Sequence, residues 1–140
     1  MTDFSRENLF TMSPKGIAGA EWDIFVFDGN TAGAAGIAEM LIQSHGRYIR
    51  LLPCLPSEWA DGSFSGLCVR GGGEMSVRWE KSVITYASLK ATADNTFSLQ
   101  LPERTDYRFT LNDKKVELNS DSQGIITVVL KKNDLLKIEI

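Results

Sequence analysis

The sequence predicts a mainly β protein, an antiparallel β-sandwich preceded by one helix, and three observations carry that expectation. Apolar residues recur at three- and four-residue steps in only one stretch, between Thr31 and His45. After Gly46 the chain turns to short runs rich in Val, Ile, Phe, Tyr and Thr. Those runs are separated by turn residues at short spacing, as in sheets built from hairpins.

Residues 1 to 29 contain Ser13-Pro14, Gly16 and Gly19 and read as loop, ending in an extended apolar segment from Trp22 to Phe27. The helix follows over Thr31 to His45, capped by Asn30 or Thr31 and stopped by Gly46. Its apolar stripe is Ala34, Ile37, Ala38, Leu41 and Ile42, and Gly33 and Gly36 mark a surface built for close approach. Strands are expected over Arg47 to Leu52, Phe64 to Arg70, Glu74 to Glu80, Val83 to Lys90, Thr96 to Leu101, Tyr107 to Leu111, Val116 to Asn119, Ile125 to Leu130 and Leu135 to Ile140. Alternation places Met75, Val77 and Trp79 on one face, Phe97, Leu99 and Leu101 on another, and Leu136, Ile138 and Ile140 on a third. Asn112-Asp113 and Ser122-Gln123-Gly124 are turn material, and Gly71-Gly72-Gly73 reads as a turn or bulge rather than a phosphate cradle. The organisation expected is residues 1–46 as an N-terminal loop and helix, 47–63 as a linker and 64–140 as the sandwich. A lone helix cannot bury its own stripe, so it reads as the last piece of a helical domain.

Composition narrows the classes of function. The chain has 140 residues, 43% hydrophobic and 24% charged, the balance of a globular protein. Its net charge of -3 comes entirely from the first 60 residues, and the remainder is balanced. No basic face is left for phosphate backbones, so nucleic acid is not an expected partner. A single histidine without ligand spacing gives no metal site, and no cofactor is implied. No apolar run is long enough to span a membrane, and the N-terminus lacks the pattern of a signal peptide. Cys54 and Cys68 sit in apolar surroundings and read as small buried hydrophobes, with a single bridge between them as the alternative. Trp79 reads as core, and Trp59 as an anchor of the linker to the sandwich.

Three ordered blocks are more specific. They are Phe25-Val26-Phe27-Asp28-Gly29-Asn30 with Gly36-Ile37-Ala38-Glu39-Met40-Leu41-Ile42-Gln43-Ser44-His45, then Leu51-Leu52-Pro53-Cys54-Leu55-Pro56-Ser57-Glu58-Trp59-Ala60-Asp61-Gly62-Ser63, then Gly66-Leu67-Cys68-Val69-Arg70-Gly71-Gly72-Gly73-Glu74 ending at Trp79. Together they resemble the C-terminal part of the α-L-fucosidases of glycoside hydrolase family 95. Beyond Trp79 the resemblance is one of character.

The resemblance implies a parent enzyme in which an (α/α)6 barrel bears the active site and a β-sandwich packs after it. The helix here would then be left over from that barrel. Such a parent removes terminal α-1,2-linked fucose, or sometimes L-galactose, with inversion. Inversion requires one carboxylic acid at the leaving oxygen and a base that activates water on the opposite face. The family's glutamate acid and its water-holding asparagines lie upstream of the D-G-N motif and have no counterpart in these residues. Asp28 matches the family aspartate that polarises those asparagines, and Asn30 is a candidate substrate contact. The same Asp28 also reads as part of a helix cap, at a helix start where the dipole and free N–H groups attract a carboxylate. Val26, Thr31 and Trp22-Asp23-Ile24 depart from the family pattern around it.

The expectation is therefore a C-terminal fragment or truncated relative of an inverting α-L-fucosidase, inactive by itself. Its partners would be a fucosylated glycan in the intact parent and either the missing barrel or a second copy joined through residues 22–45. The family is often secreted or periplasmic. The alternative is a free-standing sandwich module that binds carbohydrate or a protein and dimerises through its helix. A small enzyme using Asp28 and Glu39 is a third reading, in which the helix holds the two carboxylates two to three turns apart. Glu39 otherwise reads as a solvated or structurally bonded carboxylate, and His45 as a partner of the helix C-terminus.

Overall fold

A computed structural model describes residues 12–13, 24–25, 27–102 and 107–139. It is mainly β, and the described residues form a two-stranded pair, two larger sheets of predominantly antiparallel strands and one α-helix. The chain divides into two compact units, residues 1–38 and 39–140.

In the first unit, β1 (Met12–Ser13) pairs antiparallel with β2 (Ile24–Phe25). The β2 pair lies in the apolar segment expected to be extended. Helix α1 runs from Phe27 to Leu41, so it begins and ends four residues earlier than the periodicity suggests. Asn30 and Thr31 are consequently inside the helix and not its cap. The early end has a clear cause in the second unit. Ile42 and Gln43 form β3, which pairs with β4 (Ile49–Leu51) through Ile42↔Leu51 and Gln43↔Arg50. The Leu52 amide then donates to the Leu41 carbonyl at 2.8 Å. Ile42 is buried in the sandwich core and Leu41 packs against it, so two members of the expected helical stripe serve the sheets instead.

The second unit is a sandwich. One sheet has the order β10-β9-β12-β7-β6-β5, formed by Lys114–Val116, Arg108–Leu111, Leu135–Glu139, Val83–Ala91, Gly73–Glu80 and Gly62–Val69. The other has the order β11-β8-β4-β3, adding β11 (Ile125–Leu130) and β8 (Asn95–Gln100). Every described pairing is antiparallel except β4 with β8, where Ile49 lies beside Leu99. Period-two alternation builds the core. Met75, Val77 and Trp79 of β6, Ala87, Leu89 and Ala91 of β7, and Leu136 and Ile138 of β12 form one inner face. Phe97 and Leu99 of β8, Ile126, Val128 and Leu130 of β11, and Ile49 and Leu51 of β4 form the other.

Turn chemistry explains the hairpins. Asn112 and Asp113 both have positive φ, 51° and 63°, between paired Leu111 and Lys114, the backbone of a two-residue turn that follows strand twist. Lys81 and Ser82 do the same between Glu80 and Val83, without glycine or asparagine to announce it. Gly71 and Gly72 turn β5 into β6 with φ of 93° and 80°, and the Gly71 carbonyl accepts a 2.8 Å hydrogen bond from Asn95 Nδ2. Trp79 is core, and its indole N–H donates to the Trp59 carbonyl at 2.8 Å, tying the segment ahead of β5 to the sheet.

The cysteines depart from expectation. Both are free and exposed. Cys54 lies in the turn after β4, and Cys68 alternates outward on β5 between half-buried Leu67 and buried Val69. Apolar neighbours in sequence point to the opposite face of a strand, which is why they mislead here.

Candidate functional site

The sequence candidates fall in two places. Asp28 is the second residue of α1, exposed, in the first turn where the positive end of the helix dipole meets a carboxylate. Its carbonyl accepts from Thr31 Oγ1 at 3.0 Å. Asn30 lies in the same turn, with its side chain outside the described set.

Glu39 and His45 belong to the second unit. His45 lies past β3 in the β3–β4 connection and not at a helix end, and its Nδ1 is 3.4 Å from Glu39 Oε2. Both side chains are more than half exposed. The Glu39 carbonyl accepts from Gln43 Nε2 at 3.1 Å. The Glu39 carboxylate is thus exposed, with the imidazole of His45 beside it. Among the described residues no three His, Cys, Asp or Glu side chains gather as a metal site would need, and no helix is long and apolar enough to cross a membrane.

Sequence reading missed a cleft of about 810 Å³ within the sandwich unit. Its walls come from β4, β8, β9 and β11 and from the chain between β10 and β11. Leu51, Leu101 and Ile126 are apolar and buried at its base, while Arg50, Gln100 and Asp121 bring polar groups. Tyr107 adds an aromatic ring 6.2 Å from that of Phe109, and its hydroxyl donates to the Pro102 carbonyl at 2.9 Å. Arg50 also borders a smaller cavity of about 240 Å³ at the β3–β4 turn, where it stacks 5.0 Å from the Tyr48 ring. The one hint in sequence is the polar run Ser120-Asp121-Ser122-Gln123-Gly124. Its partners lie far away along the chain, so spacing alone could not assemble them.

Two sheets facing one another over a shared apolar core, entered through the short β3–β4 hairpin, define a β-sandwich domain. The model for glycoside hydrolase family 95, C-terminal domain, matches residues 43–138, and the chain belongs to that family. Alpha-L-fucosidase 2 of Arabidopsis thaliana is 40% identical over 73 residues, which cover 51% of this chain and 8% of that protein. The chain thus aligns with a small part of that relative's length. A family 39 glycoside hydrolase from the gut symbiont Bacteroides cellulosilyticus WH2 superposes with a TM-score of 0.44 at 15% identity, covering 64% of this chain and 18% of that one.

Proposed function

We propose that these residues are the C-terminal portion of a family 95 inverting α-L-fucosidase and that they do not hydrolyse fucosides on their own. The observation that carries this reading is the family match over residues 43–138 together with 40% identity to an α-L-fucosidase across only 8% of its length. Chemistry supports the second half of it. Inversion needs an acid and a base on opposite faces of the sugar, and Asp28 is the single position carried over from the family's catalytic set. In the intact enzyme Asp28 would orient the amides that hold the attacking water, and Asn30 would face the sugar. Losing general acid catalysis and the water-holding amides together removes several powers of ten in rate.

The test is an aryl α-L-fucoside incubated with the 140-residue chain, with release expected to equal that of buffer. Turnover that Asp28→Asn abolishes would overturn the reading. Sequencing the genomic DNA upstream of Met1 is the complementary check, and an in-frame barrel bearing the glutamate and the asparagine pair is the expected result.

A further inference from the structure

We propose that the cleft between the two sheets is a binding site for a neutral saccharide. The volume of about 810 Å³ suits one or two sugar rings. Its charged lining residues, Arg50 and Asp121, are opposite in sign, so neither a phosphate nor a polycation is the matching ligand. Apolar side chains at the base and hydroxyls, an amide and a guanidinium at the mouth disfavour a lipid chain and suit a ring that has a C–H face and a hydroxyl rim.

Two of the polar groups, Asp121 and Arg50, are fixed before any ligand arrives. Asp121 Oδ1 accepts from the backbone amides of Gln123 at 2.8 Å and Ile125 at 3.0 Å, which leaves Oδ2 without a partner among the described residues. Arg50 is held from behind, where its Nη2 donates to the Tyr48 hydroxyl at 2.7 Å while its guanidinium stacks on the Tyr48 ring. Gln100 Nε2 makes only a 3.5 Å contact to the Gln123 carbonyl, so its amide can turn to a sugar hydroxyl at little cost. The Tyr107 hydroxyl is anchored to Pro102, which steadies the ring as a platform for the C–H face. Such preorganisation lowers the entropy lost on binding.

The choice of saccharide over another neutral polyol rests on the carbohydrate-enzyme reading above. The experiment is a backbone-amide NMR titration of the full chain with a lactose-based trisaccharide ending in α-1,2-fucose, and in parallel with lactose alone. Saturable shifts at Gln100, Gln123 and Gly124 with a millimolar Kd are expected for at least one sugar. Arg50→Gln and Gln100→Ala should each weaken binding by about fivefold. If Gln100→Ala loses its dispersed spectrum, Arg50→Gln decides alone, because Arg50 is exposed. No saturable shift with either sugar, or undiminished binding in the folded variants, overturns the proposal. Release of fucose by the chain would sink the fragment reading and leave this binding result as it stands, so the two failures are distinguishable.

Discussion

Helix α1 and strand β6 each carry an apolar stripe, yet they meet opposite fates. On β6, Met75, Val77 and Trp79 are 0%, 1% and 4% exposed. On α1, Ile37 remains 43% exposed and Ala34 is exposed beside it. The strand is hydrogen-bonded on both edges, to β5 and β7, and a facing sheet covers its inner side. Periodicity tells which residues share a face, whereas burial depends on whether the rest of the chain supplies a surface to cover it.

Breaking the strand side of this comparison should give the largest effect. Trp79→Ala removes a buried ring and orphans the Trp59 carbonyl, and should cost about 3–5 kcal/mol in urea unfolding. A loss below about 1 kcal/mol would mean that the β6 face is not the core. Next comes the turn that aligns β6 with β5. Gly71→Ala forces a side chain onto a φ of 93° and against the Asn95 amide, with an expected loss of about 1–3 kcal/mol.

Acid probes the far edge of the same sheet. Asn112 Nδ2 donates to Asp134 Oδ1, and the Lys131 amide donates to Oδ2, both at 2.8 Å. These bonds, the Asn112 one first, hold the Asp134 carboxyl below its ordinary value of 3.8. The unfolded chain therefore binds this proton more readily. The stabilisation is present above the unfolded pKa and is lost as pH falls through the folded one. Urea midpoints measured at neutral pH and below pH 3.8 should separate less in Asp134→Asn than in the wild type.

The smallest effect is expected on the helix. Ile37→Lys should change stability by no more than about 0.5 kcal/mol, since its side chain is already partly in water. Association is the sharper measurement there. We propose self-association through residues 22–45, and sedimentation equilibrium should show the wild type dimerising weakly and Ile37→Lys remaining monomeric. Indistinguishable profiles would remove Ile37 from any interface.

Much of this architecture was legible in the residues. Alternation located the strand cores of β6, β8 and β12, the last with Ile140 outside the described residues, because each strand sits over a single core and the period-two rule then reads its face directly. Asn112-Asp113 and the Gly71-Gly72 pair announced their turns because few residues tolerate positive φ. Lys81-Ser82 gave no such notice, since its conformation is imposed by the register of Glu80 against Val83. The three motif blocks carried the family.

What the tertiary structure alone decided is where local signals were ambiguous or partners were distant. Leu41 and Ile42 fit a helical stripe as well as a strand, and pairing of Ile42 with Leu51 settled them as sheet residues. The faces of Cys54 and Cys68 followed from strand and turn geometry rather than from their neighbours. The cleft needed Arg50, Gln100, Tyr107 and Asp121 to converge from separate strands and loops. A sequence records the period of each element, but convergence of this kind arises only when the sheets pack, because long-range pairing places side chains that no spacing rule connects.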